Sequence, residues 1–298
     1  MRIFLTGATG FIGLRIVPEL LAAGHQVIGM TRSDEGARAL TAAGVEVHRG
    51  QLEDLDSLRD GAAKADAVIH TAFDHDFSNF VANCEKDSRV IKALGSALLG
   101  SSRPLLITSG TGMGSTVPGQ PATEDVFNIE HPNPRSASEI AGAEMLDAGV
   151  AVSVMRLPQV HDTVKQGLVT PLIEVARAKG VSAYVGEGLS RFPAAHVLDV
   201  ARLYRLAIEK REPGARYHAV DEEGVSARDI AQAIGDGLGL PVKSIPPSEA
   251  ADHFGWLGGF VGLDMLSSSK WTRKVLGWQP SGPSLLDDLR QMDYSAAG

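Results

Sequence analysis

The sequence predicts an α/β fold built on a doubly wound parallel sheet, and three observations lead there. Short apolar, β-branched runs alternate with helical patterns over the first half of the chain. Those runs show little polar alternation, as expected of strands covered by helices on both faces. The first run leads directly into a glycine-rich stretch, "TGATGFIG", which precedes the first helical pattern.

Taken in order, "RIFLT" reads as a strand, "FIGLRIVPELLAAG" as a helix, "HQVIGM" as a strand, "DEGARALTAAG" as a helix and "VEVHR" as a strand. "DLDSLRDGAAK" is helical, "ADAVIHTA" a strand, and a long helical stretch runs to about Leu99. "PLLITS", "SASEIAGAEMLDAG" and "VAVSVMRL" then give strand, helix, strand. Beyond Pro158 the rhythm breaks. "GLVTPLIEVARAKG", "AAHVLDVARLYRLAIEK" and "SARDIAQAIGDGLG" are amphipathic helices, "ARYHAV" is one more strand, and "HFGWLGGFVGL" and "SSKWTRKVLGWQP" close the chain. This part reads as a smaller lobe over the strand ends.

Composition narrows the function. With 298 residues the chain suits one large domain and a smaller one. A net charge of −8 argues against nucleic acid or an anionic membrane as partner. The one cysteine, Cys84, excludes an intrachain disulfide and a Cys-rich metal site. The scattered His and Asp residues, "FDHDF" included, lack metal-ligand spacing, so no metal is expected. "MRIFLTGATG" reaches glycine too soon for a signal peptide, and no uncharged apolar run approaches a membrane span. The expectation is a cytoplasmic protein acting on a small molecule.

Gly7, Gly10 and Gly13 stand between the first strand and the first helix. Glycine there allows the tight turn, close approach of a pyrophosphate and close helix–strand packing, while the helix N-terminus offers N–H groups to an anion. Glycines at this spacing, between strand and helix at the start of a βαβ unit, predict dinucleotide binding.

Seven pieces then occur in order: "TGATGFIG", "RGQLED", "ADAVIHTA", "LLITSGTGMG", "RLPQVH", "AAHVLDVA" and "LGWQP". In them the chain resembles the extended or atypical short-chain dehydrogenase/reductase superfamily, in its branch of NAD(P)-dependent epimerases and dehydratases. The resemblance implies a Rossmann-type domain over 1–162 and 195–222 and a substrate lobe over 163–194 and 223–298. It places Gly7, Thr9, Gly10, Phe11, Ile12 and Gly13 on the cofactor, with Thr71, Ala72 and Phe73 along its phosphates and ribose. Gln51 and Leu52 flank adenine, and Pro158, Gln159 and Val160 line the nicotinamide pocket. NAD-using relatives carry an acidic residue after the second strand, where this chain has Arg32 and Ser33, with Arg38 in the next helix. A guanidinium and a hydroxyl there suit a 2′-phosphate, so NADP(H) is expected over NAD(H). Homodimers are common among lookalikes, but the small residues of "SEIAGAEMLDAG" suit packing within one chain equally well.

Catalysis in this superfamily resembles one scheme: a Ser or Thr polarises a carbonyl, a tyrosine gives the proton, and a lysine four residues on assists. Ser109 stands where that serine belongs, with Thr111 nearby; "RSASE" aligns with Tyr-x-x-Ser-Lys and puts Arg135 and Glu139 at the tyrosine and lysine positions. Arginine does not release a proton at neutral pH but can stabilise negative charge, and a glutamate can accept from ribose hydroxyls. The plain alternative is an i,i+4 ion pair between the two. His161, after "RLPQV", is the candidate replacement acid, ahead of Tyr184. His70, Tyr204 and Tyr217 read as core, while His196 and Asp199 tie the lobe to the sheet. The long segment before Arg135 should roof the substrate, with Met113 and Phe127 as lining. The leading expectation is an NADP(H)-dependent oxidoreductase acting on a carbonyl or alcohol. Its rivals are an NADP(H) sensor without turnover and a nucleotide-sugar epimerase or dehydratase, for which Arg191 and Arg228 are the candidate diphosphate contacts.

Overall fold

The computed structural model describes residues 1–295. Seven parallel strands form the main sheet: β1 (Arg2–Thr6), β2 (Gln26–Thr31), β3 (Glu46–Arg49), β4 (Ala67–His70), β5 (Pro104–Gly110), β6 (Ala151–Leu157) and β10 (Arg216–His218). Their order is β3-β2-β1-β4-β5-β6-β10, so the chain reverses its direction of winding between β1 and β4. The Rossmann-type reading of the sequence is therefore correct, and ligands of such sheets bind at that reversal.

Strands this apolar must be covered twice, and they are. On one face α1 (Gly13–Ala22) and α7 (Val197–Lys210) bury Ile16, Leu20, Leu203 and Tyr204 against β1 and β4. On the other, α3 (Leu55–Ala63), α4 (Phe80–Ser96) and α5 (Ser136–Asp147) bury Leu58, Ile91, Leu94 and Ala141. Helix starts follow capping chemistry: in α2 (Asp34–Ala42) Ser33 Oγ accepts from Gly36 N at 3.0 Å, and Asp54 does the same for Ser57 N in α3.

The second half departs from expectation. "AAHVLDVA" is not helical throughout: β9 (Arg191–His196) runs to His196, whose extended backbone and Nδ1 acceptor cap α7 from outside. β9 pairs with β7 (Gln159–His161) and β11 (Glu222–Ser226), while β8 (Ser182–Val185) pairs with β12 (Val242–Ile245). These strands are three to six residues long, and their partners are distant in sequence, so no local pattern announces them. Around them pack α6 (Val169–Lys179), α8 (Ala227–Leu238), the short α9 (Ala250–Phe254) and α10 (Gly258–Val261), α11 (Lys270–Leu276) and α12 (Leu285–Gln291). After α11 the chain returns to the main sheet: Trp278 is buried in its core and donates to the Asp199 carbonyl, and Asp199 Oδ2 accepts from Ser281 and Gly282 N–H. No helix among the described residues is long and apolar enough to cross a membrane.

The long segment between β5 and α5 is pinned from beneath. Arg156, fully buried on β6, donates to the carbonyls of Thr123 and Val126 and forms a two-pronged pair with Glu139 at 2.8 Å per bond. His218 completes the cluster: its Nδ1–H donates to Ser268 O, leaving Nε2 to accept from Arg156 at 3.2 Å. Removing one partner of such a buried ion pair costs about 3–5 kcal/mol, because the other charge is left uncompensated.

Burial and the Arg156 charge hold the His218 pKa down, to about 3. Unfolded, the same histidine titrates near 6.5. A depressed histidine contributes stability that is present above its unfolded pKa and lost as pH falls toward the folded one. Between pH 7 and pH 5 the wild type should therefore lose about 2 kcal/mol more than His218→Asn, measured by urea unfolding at both pH values.

Candidate functional site

All seven strands of the main sheet are parallel, so their carboxyl ends share one edge. Along it lie Gln51 and Leu52 after β3, Arg32 and Ser33 after β2, Gly7 to Gly13 after β1, Thr71 to Phe73 after β4, Ser109 in β5 and Pro158 after β6. At about 4.8 Å per strand, the row from β3 to β5 spans about 19 Å. The structure thus brings most of the expected cofactor residues into one line.

The glycine turn is built for close approach. Gly7 has φ +71°, and a Cβ there would stand 2.7 Å from Thr71 Oγ1 and 2.8 Å from Ala72 N. A Cβ on Gly13 would stand 2.0 Å from the Gly7 carbonyl oxygen, so only glycine lets α1 start this near β1. Gly10 lies between them, exposed at the edge. Arg32 and Arg38 are exposed and make no ion pair among the described residues, whereas Asp34, the nearest carboxylate in sequence, is paired with Arg49. Ser33 Oγ caps α2 as an acceptor, which leaves its O–H free to donate.

Ser109 is buried, and its Oγ has no hydrogen-bond partner. A buried hydroxyl left unpaired costs free energy unless a ligand completes it. Its neighbours are fixed by a polar network. Asp87 on α4 accepts from Arg135 Nη1 at 2.6 Å, from Ser138 Oγ at 2.6 Å, and pairs with His70 Nε2 at 2.9 Å. His70 Nδ1 meets Thr6 Oγ1 at 2.7 Å, and Arg135 Nη2 donates to the Thr108 carbonyl, one residue before Ser109. Thr108 Oγ1 donates to the His70 carbonyl and contacts the Tyr204 hydroxyl at 2.7 Å. Burial alone would raise the Asp87 pKa; Arg135, then His70 and Ser138, reverse that and hold it well below the usual carboxylate range.

Several expected roles change. Arg135 reaches the strand that carries Ser109 only at the Thr108 carbonyl, its charge is already balanced by Asp87, and its guanidinium lies 4.1 Å over the Phe73 ring. Glu139 is only 2% exposed and both its oxygens are taken by Arg156, so it does not accept from a ribose. Nor do Arg135 and Glu139 pair with each other: successive turns of α5 aim them at different partners. His161 is fully buried; Nδ1 contacts Asp288 at 2.6 Å, its ring packs edge-on to His196, and burial lowers its pKa against the pull of Asp288. It is a junction residue, not an exposed acid. Gln159 Oε1 accepts from Leu168 N, and Val160 lies in the core. Met113 is buried rather than lining, and Phe127 lies under the Arg216 guanidinium. Tyr184 lies on β8 beneath the Arg228 guanidinium, at 5.3 Å. Asp87 is a functional residue that the sequence does not single out, since nothing local in "NCEKDSRV" separates it from Glu85 two residues before.

Comparison with known proteins agrees with this geometry. Residues 3–221 match the NAD dependent epimerase/dehydratase family. An uncharacterized protein of Schizosaccharomyces pombe is 46% identical over 99% of this chain and 100% of its own length. A 2-alkyl-3-oxoalkanoate reductase of Stenotrophomonas maltophilia is 28% identical over 81% of this chain and 77% of its own. A dTDP-glucose 4,6-dehydratase of Streptomyces venezuelae, solved with NAD bound, superposes with a TM-score of 0.77 at 19% identity, covering 98% of this chain and 95% of that one.

Proposed function

The chain belongs to the NAD dependent epimerase/dehydratase family, an enzyme family, and on that premise we propose that it is an NADP(H)-dependent oxidoreductase acting on a small-molecule carbonyl or alcohol. The observation that carries this reading is the buried, unpartnered Ser109 hydroxyl at the carboxyl edge of the sheet, beside the point where the winding reverses.

The residues fit the cofactor. The cradle of Gly7, Gly10 and Gly13 excludes a Cβ where a pyrophosphate must come close, and the start of α1 offers its N–H groups. Arg32, with the Ser33 hydroxyl, faces solvent at the end of β2, where a 2′-phosphate would be read; this supports NADP(H) over NAD(H). When bound, the nicotinamide supplies or accepts the hydride. Ser109 donates its O–H to the substrate carbonyl oxygen and stabilises the charge that develops there. Arg135 positions Ser109 by holding the Thr108 carbonyl, and Asp87 holds Arg135. Tyr204 is fully buried, with its pKa pushed up, and His161 is sealed, so neither supplies the proton. It comes from water. Relatives along most of the chain include both the Stenotrophomonas maltophilia reductase and UDP-glucose 4-epimerases, so the preference for reduction rests on the Ser109 site and not on them.

NADPH oxidation across a panel of aldehydes and ketones tests this. Ser109→Ala should lower kcat by about 10²–10³ while NADPH still binds. Tight NADPH binding with no turnover on any substrate would favour the sensor instead. Arg32→Ala should reduce the preference for NADPH over NADH about tenfold or more, as expected for a lost charge-assisted bond. An unchanged ratio would remove the NADP(H) assignment.

A further inference from the structure

Directly after β7 the chain makes a tight turn that no role assigned so far explains. Asp162 Oδ1 accepts from Val164 N at 2.8 Å and from Lys165 N at 2.9 Å, and Asp162 N donates to the Lys165 carbonyl at 2.9 Å. Gln166 is fully buried and donates from Nε2 to the Asp162 carbonyl, closing the turn from within. The backbone is thus held on both sides, although Val164 at the tip is 75% exposed.

This turn is tied to the glycine cradle. Asp162 Oδ2 meets Arg15 Nη2 at 3.5 Å, and Arg15 stands in the first turn of α1. The Lys165 ammonium lies 6.0 Å from the centroid of the Phe11 ring, and Phe11 belongs to the turn between Gly10 and Gly13. The same charge is felt in the loop after β4, where burial first and Lys165 next lower the His75 pKa. Lys165 therefore serves the ends of β1 and β4, the two strands between which the winding reverses.

The charges at that place do not yet balance for a dinucleotide. Its diphosphate is doubly anionic, whereas the cradle offers neutral N–H groups and the positive end of a helix dipole. Arg15 is engaged by Asp162 and Arg135 by Asp87. In the second lobe Arg191 makes a two-pronged pair with Asp264, and Arg228 lies over Tyr184. The Lys165 ammonium, by contrast, is exposed and has no hydrogen bond or ion pair among the described residues. A lysine head left free beside an apolar ring is a point charge of the kind that binds phosphate.

We infer that Lys165 is a cofactor-binding residue that supplies the cation for the dinucleotide's diphosphate, on a turn fastened to α1 by the Asp162–Arg15 pair. The inference rests on the nicotinamide-cofactor part of the proposed function and extends that site beyond the glycine motif. The diphosphate is common to NADPH and NADH. Lys165 accordingly serves affinity for both, whereas Arg32 serves the choice between them.

Isothermal titration calorimetry of wild type, Lys165→Met and Lys165→Arg tests this with NADPH, NADH and ADP-ribose 2′-phosphate, which keeps the diphosphate and lacks the nicotinamide. Lys165→Met should weaken all three by about tenfold or more, as expected for a lost charge-assisted contact, and leave the ratio of NADPH to NADH within about twofold of wild type. Lys165→Arg, which keeps the charge, should retain most of the affinity. Because Lys165 is exposed, the methionine variant leaves the core intact. Unchanged affinities in Lys165→Met would overturn the inference. A loss confined to NADPH and ADP-ribose 2′-phosphate would also overturn it and give the lysine to the 2′-phosphate. A wild type that binds neither dinucleotide would remove the cofactor reading together with the inference, whereas one that binds both, indifferent to Lys165→Met, would remove the inference alone.

Discussion

The site depends on one buried carboxylate. Asp87 is 2% exposed and draws together three elements that the chain forms separately: α4 carries it, β4 supplies His70, and α5 supplies Ser138 and, at its N-cap, Arg135. An isolated buried charge is costly, but one with a cation and two further partners is held firmly. Arg135 carries the restraint on to the Thr108 carbonyl and so to Ser109, whose own hydroxyl stays free. The side chains of Asp87, Arg135, Ser138, His70, Thr6 and Thr108 are thus all hydrogen-bonded, while the Ser109 hydroxyl has no partner.

A second buried charge pair, Glu139 with Arg156, does structural work one turn along the same helix. It anchors the segment before α5 from below, while Asp87–Arg135 fixes the sheet edge. Two residues four apart that look like a surface ion pair are therefore halves of two different buried pairs. This division explains why a cation is tolerated at the N-terminus of α5, where the helix dipole disfavours it: Asp87 neutralises it there.

The main sheet was legible because its evidence is local: apolar strands, helical periodicity and glycines at a strand–helix turn are each visible within about a dozen residues. The same holds for Gly7 to Gly13, Arg32 and Ser109, whose places follow from strand ends in a parallel sheet. Illegible were features set by distant partners. The lobe strands find their mates across the chain, His161 is sealed by Asp288 from the last helix, and Glu139 meets Arg156 only once β6 lies beside α5. The stack of Phe77 on Trp256 likewise joins two segments far apart in sequence, neither of which signals the other.

The most direct test of this account is a double-mutant cycle on kcat with Ser109→Ala, Asp87→Asn and the pair, each checked for folding and NADPH binding. If Asp87 acts by positioning Ser109, its removal should slow wild type strongly yet add little once the Ser109 hydroxyl is gone. Losses that simply multiply would contradict the account and give Asp87 a role independent of Ser109.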